Sequence, residues 1–362
     1  MKKLSKPGSN TFQPKAPTKP RSNFFQRRVP LWLLFVLTGA VTVALLLFDI
    51  PTRKATSTPH ASAVASLPAM FSGEFNQHRL KDYKFISPLL LVDIKHESAA
   101  FNDLKSSLTT LIGQEKLEGK INSASVYMKK CGSIEWFAVN PDEGFYTASL
   151  MKVAVLITIL KMSENTPGYL DKIYSYKHAD AGILPQTYDQ KTIEPGHDYK
   201  MRDLLYYMIV YSDNYASDIL NGEMNLDIYK KLFTDIGIEG YDPYDQFRKL
   251  KAEDVGKLFR LLYNASYLTK DNSEYALSLL SQSSFKDGLV KELPGNVVVA
   301  HKFAEAGGNE ENQLHDAGIV YDGTTPYLLV VMTRGKKLPD LSQSIGEISK
   351  KVYDYMNQKV TN

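Results

Sequence analysis

A single cysteine, Cys131, stands in the chain of 362 residues, so no disulfide can close within it and whatever fold it adopts is held without one. Histidine is sparse as well. The seven (His60, His78, His96, His178, His197, His301 and His315) are scattered, and none falls in a His-Glu-x-x-His spacing. No metal site and no cofactor are expected on that ground. Acidic residues are missing from Met1–Pro30, which carries eight basic ones. From Ala55 onward the balance reverses to 33 basic against 39 acidic residues. The near-neutral total of 43 Lys+Arg and 40 Asp+Glu therefore hides a basic tail and gives no reason to expect a nucleic-acid partner. Internal repeats are not apparent.

Long runs that are both uncharged and mostly apolar are absent with one exception, Val29–Phe48. A helix needs about 20 apolar residues to cross a ~30 Å hydrocarbon core, and this run has that length. Lys15, Lys19, Arg21, Arg27 and Arg28 precede it, and only Arg53 and Lys54 follow closely. That asymmetry keeps the N-terminus in the cytoplasm and exports the remainder. The competing reading is a cleaved signal peptide with Ala61-Ser62-Ala63 as its cleavage site; the run is long for that and the site distant. The expected organisation is a basic, disordered cytoplasmic tail at 1–28 and a transmembrane helix at 29–49. A Pro/Ser/Thr-rich linker at 50–76 and one extracytoplasmic domain at 77–362 complete it.

Within the domain, Ile121–Lys130 and Ser133–Val139 read as strands joined by a Lys-Cys-Gly turn. The middle is helical. Tyr146–Met162 opens near Thr147 and runs apolar on all sides, as a helix in the centre of a domain does. Met201–Tyr211, Asp213–Leu220 and Ala252–Tyr263 also read as helices. The chain then returns to strands at Val297–Phe303, Gly318–Tyr321 and Tyr327–Thr333, and closes on a helix with Leu341, Ile345, Ile348, Val352 and Tyr355 at helical spacing. The order implies an α+β domain whose sheet is completed from both ends of the chain, around an inserted helical region.

Three short motifs carry chemistry. Ser149-Leu150-Met151-Lys152 opens the buried helix. Positions i and i+3 share a helix face, so the Lys152 amine can approach the Ser149 hydroxyl. A lysine kept dry has a lowered pKa and can take the serine proton, while the helix N-terminus favours a developing oxyanion. Taken alone the pattern means little, since Ser283-Ser284-Phe285-Lys286 repeats it where only a surface segment is expected. Ser212-Asp213-Asn214 follows a helix and can relay a proton and hold a substrate amide; Ser, Asp and Asn are equally the usual helix N-caps. Lys302 ends the strand-like Val297–His301, where a lysine is ordinarily a solvated charge and beside a nucleophile would bind a carboxylate.

In this order the three motifs resemble the active-site signature of class A β-lactamases and related penicillin-binding proteins. The resemblance spans about Leu104–Asn362 and includes Tyr146–Lys152, Met208–Asn214, His315–Tyr321 and Leu329–Thr333. It implies a β-lactamase-like fold: an antiparallel sheet with flanking helices and a mainly helical inserted subdomain, here preceded by the transmembrane helix. It implies Ser149 as acylated nucleophile, Lys152 as general base, and Ser212 between Lys152 and the leaving nitrogen. Asn214 would hold the substrate side-chain amide and Lys302 face its carboxylate. The oxyanion hole would be the N–H groups of Ser149 and Glu305. The implied partners are a β-lactam or a cell-wall peptide, and the membrane.

Two departures limit the resemblance. The third motif reads Lys302-Phe303-Ala304 where the family has Lys, Thr or Ser, then Gly, so a hydroxyl that meets the substrate carboxylate is missing. The family's Glu-x-x-Leu-Asn loop, whose Glu activates the deacylating water, is absent. Glu223-Met224-Asn225-Leu226-Asp227 comes too early and reads as a connection between helices; Asp242 and Asp245 are the nearby substitutes. General-base assistance is worth roughly 10²–10⁴ in rate. The expectation is a membrane-anchored serine hydrolase that is acylated at Ser149 and deacylates slowly. The alternatives are a non-catalytic envelope-binding protein with the same fold, and an enzyme whose Asp242 or Asp245 restores hydrolysis.

Overall fold

The computed structural model describes residues 75–177, 187–188, 191–242, 245, 249–307, 311–323 and 325–358. The expected tail, transmembrane helix and nearly all of the linker lie outside them. Among the described residues no helix is long and apolar enough to cross a membrane.

The first element is a hairpin of β1 (Phe75–Arg79) and β2 (Leu89–Ile94), beginning just ahead of the expected domain start. Helix α1 (Asn102–Leu117) follows, buried along Leu104, Leu108 and Ile112 at helical spacing. Then come β3 (Ser123–Lys130), β4 (Trp136–Val139) and the short β5 (Phe145–Tyr146). Helix α2 (Lys152–Ser163) is buried without interruption from Lys152 to Leu160, as an all-apolar helix in a protein centre must be. The pair β6 (Ile173–Tyr176) and β7 (His197–Lys200) leads into α3 (Met201–Val210), α4 (Asn214–Glu223) and α5 (Leu226–Asp235). Strand β8 (Lys249–Leu250) pairs with β5, and α6 (Ala252–Tyr263) and α7 (Lys270–Ser281) complete the helical region.

The chain closes with β9 (Val298–Gly307), β10 (Asn312–Tyr321), β11 (Tyr327–Gly335) and α8 (Leu338–Gln358). One antiparallel sheet of order β4-β3-β11-β10-β9 joins the two ends of the chain, with β11 paired on β3. Helices α2 to α7 are thus an insertion between the two halves of the sheet. Both faces of the sheet are covered, so β3, β10 and β11 are buried almost throughout. Ala300, Ala304, Ala317, Leu328 and Val330 pack with the inserted helices. Val299, Phe303, Val320, Leu329 and Val331 pack with α1 and α8 on the other face. In α8 the buried stripe is Leu341, Ile345, Ile348, Val352 and Met356, with Tyr355 half-buried beside it.

The strands and helices expected from the sequence are present within a few residues, and β9 and β10 are longer than expected. Helices α1, α5 and α7 were not assigned from the sequence. Each has a buried apolar face and a polar one, and its stability comes from tertiary packing.

Candidate active site

The turn Ala148–Met151 is a 3-10 helix, and α2 proper starts at Lys152. Ser149 therefore precedes the α-helix instead of lying in its first α-turn. In a 3-10 turn i and i+3 side chains eclipse, which sets Ser149 and Lys152 on one edge; the Lys152 N–H closes on the Ser149 carbonyl. Two non-glycine residues beside this centre have left-handed backbones, Ala148 at φ 43° and Ser212 at φ 56°. Such conformations cost of order 1–3 kcal/mol each and persist only where the surroundings enforce them.

Those surroundings can be traced. His315 on β10 is fully buried, and its Nε2 lies 3.0 Å from the Tyr146 carbonyl. The Thr333 N–H donates to its Nδ1 at 3.2 Å. Carbonyls only accept, so Nε2 carries the proton and the ring is a neutral connector. Burial pushes its pKa down to about 4, against opposing hydrogen bonds to Tyr146 and Leu314. The Tyr146 N–H also donates to Gln313 Oε1 at 3.2 Å, so β5 is tied to β10 just before the nucleophile turn. The resemblance covered His315 without a role. A partly apolar strand with one central histidine is the only trace of it in the sequence.

On the opposite side stands the turn between α3 and α4. Asp213 caps α4 by accepting from the Tyr215 N–H at 2.9 Å, and its other oxygen accepts from the Ile193 N–H at 2.8 Å. Burial raises its pKa, and those backbone bonds and Lys152 oppose the rise. The N-cap reading of the motif and a place beside Lys152 therefore hold together. Ser284 buttresses the turn, donating through both its N–H (3.0 Å) and its hydroxyl (2.9 Å) to the Val210 carbonyl. This corrects the expectation for Ser283–Lys286. Instead of a surface segment it buries Ser283 and Phe285, and it acts as packing beneath the Ser212 turn.

Lys152 joins the two halves. Its Nζ lies 2.5 Å from the Ser212 carbonyl, 3.2 Å from Ser212 Oγ and 2.7 Å from Asn214 Oδ1. Three acceptors match the three donors of an ammonium, while burial pulls the pKa down to about 7, opposed by Asp213 and Glu305. The amine is thus poised between its two forms near neutrality. Ser149, Lys152 and Asn214 line one cavity of about 820 Å³. Among the described residues the Ser149 hydroxyl has no hydrogen-bond partner, which leaves it open to the cavity.

Lys302 lies differently from expectation. It sits in the middle of β9, wholly buried, with Nζ donating to the Phe303 carbonyl at 2.8 Å. Burial drives its pKa well below the usual lysine value, and nearby Lys152 adds to that drop. It is not among the residues that line the cavity, so it presents no ammonium to a carboxylate in this arrangement. Phe303, one residue on, points through to the other face of the sheet, stacked on Phe285 at 4.0 Å. The Glu305 carboxylate accepts from the Thr187 N–H at 2.5 Å, and the β9 residue on the cavity wall is its neighbour Ala306.

Of the two candidate carboxylates, Asp245 lines the cavity and Asp242 is not among its lining residues. Glu223 is the last residue of α4, and its carboxylate binds Lys172 at 2.7 Å and the Tyr174 hydroxyl at 2.8 Å, away from Ser149. Met224, Leu226, Tyr229 and Tyr241 form part of the cavity wall. Among the described residues no three His, Cys, Asp or Glu side chains converge as metal ligands would.

The fold is shared with known proteins. The model of the beta-lactamase enzyme family matches residues 103–356. A class A β-lactamase from Bacteroides cellulosilyticus superposes with a TM-score of 0.60 at 20% identity, covering 70% of this chain and 98% of its own. A β-lactamase from Chitinophaga pinensis gives 0.60 at 18% identity over 69% of this chain and all of its own. A PBP-A variant, solved as an acyl-enzyme complex with penicillin G, gives 0.58 at 19% identity over 71% and 97%. At these identities the likeness is one of fold. No curated protein sequence matches the chain.

Proposed function

Given that the chain belongs to the beta-lactamase enzyme family, with the class A fold, we propose that it is a serine hydrolase acylated at Ser149 by β-lactams or peptidoglycan-like peptides. The observation that carries this reading is the Lys152 ammonium held between Ser212 and Asn214, on a cavity it shares with an open Ser149 hydroxyl. In its neutral form Lys152 has a lone pair and can take the Ser149 proton as the oxygen attacks the carbonyl carbon. Ser212 then passes a proton toward the leaving nitrogen, and Asn214 orients the substrate amide. The N–H groups of Ser149 and of β9 near Glu305 and Ala306 receive the developing oxyanion.

Hydrolysis of the acyl-enzyme is slow in this reading. The family's glutamate that would activate water is missing from the sequence, and among the described residues Asp245 is the one carboxylate on the cavity. The uncharged run Val29–Phe48, with its basic N-terminal flank, supports a position on the outer surface of a membrane with the N-terminus inside.

The test is to incubate the full chain with a fluorescent penicillin and digest it. An adduct on the peptide holding Ser149, absent from Ser149→Ala and persisting after removal of free drug, is the expected result. The burial of Lys302 favours one second reading, a binding protein of the envelope that keeps the fold without acylation. That reading gains if β-lactams raise the melting temperature but leave no adduct.

A further inference from the structure

Nine large apolar side chains are exposed among the described residues, and five of them (Phe75, Tyr83, Phe85, Ile86 and Leu89) lie on the single hairpin β1–β2. Phe85 is 88% exposed and Ile86 60%. Such clustering on a soluble surface marks a place that something covers. The hairpin lies outside residues 103–356, the part that the family model matches.

Its base is held rigidly. Leu90 and Leu91 are buried, Arg260 donates to Asp93 at 2.5 Å and to the Val92 carbonyl at 2.9 Å, and Trp136 Nε1 donates to the Ile94 carbonyl at 2.8 Å. The apolar tip is therefore presented outward from a fixed base.

The chemistry of the tip selects its occupant. Lys81 and Lys84 alternate with the aromatic residues, Arg79 stands at the end of β1, and Lys84 Nζ lies 5.0 Å from the centre of the Phe85 ring. The only carboxylate of the tip, Asp82, faces Lys231 at 3.5 Å. Aromatic rings flanked by lysines that can reach upward to phosphate are the composition of an anionic lipid interface. The hairpin is also the first described element after the uncharged run Val29–Phe48, with only residues 49–74 between them.

We propose that the tip of the β1–β2 hairpin, residues 81–89, docks into an anionic lipid surface and holds the domain in one orientation on the membrane. The inference rests on the anchoring part of the proposed function.

The test uses the full chain with Cys131→Ser and a nitroxide on Ile86→Cys, incorporated into phosphatidylcholine vesicles with or without phosphatidylglycerol. A control nitroxide sits on Lys270→Cys, exposed at the start of α7. The expected result is contact of residue 86 with dissolved oxygen exceeding that with an aqueous nickel complex, more strongly with phosphatidylglycerol, while residue 270 stays water-like. Adding Phe85→Asp should return residue 86 toward the water-like value. Co-flotation with vesicles while residue 86 remains water-like would overturn the hairpin proposal and leave the anchor standing; a protein occupant would give that outcome. A chain that does not float with vesicles would overturn both.

Discussion

The Nζ of Lys152 lies 2.7 Å from Oδ1 of Asn214, across 62 positions of sequence. With Ser212 supplying two further acceptors, this contact satisfies the ammonium while burial disfavours its charge. If the neutral amine is the base, acylation by a penicillin should accelerate as pH rises through about 7. Asn214→Asp would place a carboxylate on the amine, favour the charged form and move the profile to higher pH. Stopped-flow acylation rates between pH 5 and 10 measure both; a flat wild-type profile would remove Lys152 from the role.

The Ser149 acyl-enzyme should outlive its formation. Deacylation, followed by recovery of free enzyme after drug removal, is expected to be little altered by Asp245→Asn. A fall of roughly 10²–10⁴ in that variant would instead identify Asp245 as the water's base. Asp242→Asn serves as the companion measurement, since Asp242 is not among the residues on the cavity wall.

His315 should make the fold acid-sensitive. It is fully buried and neutral, with a pKa pushed down to about 4 from 6.5. The unfolded chain therefore binds the proton first, and stability falls as pH drops from about 6.5 to about 4, by up to about 3 kcal/mol. Urea unfolding across that range would show it. His315→Phe should flatten this part of the profile while lowering stability at pH 7, because the Tyr146 carbonyl and the Thr333 N–H lose their partner.

Restoring the family's hydroxyl should not restore its function here. Phe303 is stacked on Phe285 beneath the sheet, so Phe303→Thr removes a buried ring and leaves a hydroxyl among apolar side chains. Loss of a buried Phe side chain costs about 3–5 kcal/mol, and acylation should be no faster. Thermal unfolding and the acylation rate decide the matter: a faster reaction would mean that position 303 faces the cleft.

The sequence was sufficient for the main strands and helices that build the sheet and the centre of the domain, because alternation, helical spacing and turn residues are local properties. The hairpin β1–β2, the short strands β5 to β8 and helices α1, α5 and α7 were legible only in the structure. It also offered Ser149, Lys152, Ser212 and Asn214 as candidates, since an i, i+3 pair and a helix-capping turn are written in consecutive residues, and the structure sets Lys152 against Ser212 and Asn214. It named Asp245 as a candidate without distinguishing it from Asp242. The side a residue faces is decided only when distant segments pack. Lys302 was expected at a strand end facing substrate; in β9 it is wholly buried, with its ammonium on its own strand's carbonyl. Ser283–Lys286 copies the nucleophile pattern yet packs under the Ser212 turn through Val210, and His315 holds the Ser149 turn from another strand. The Ser-x-x-Lys spacing, with the two motifs that follow it, marked Ser149 as a nucleophile candidate. Lys152 is three residues away, but the groups that hold its amine, Ser212 and Asn214, and much of the cavity wall come from segments far from Ser149 in sequence, and only tertiary packing brings them together.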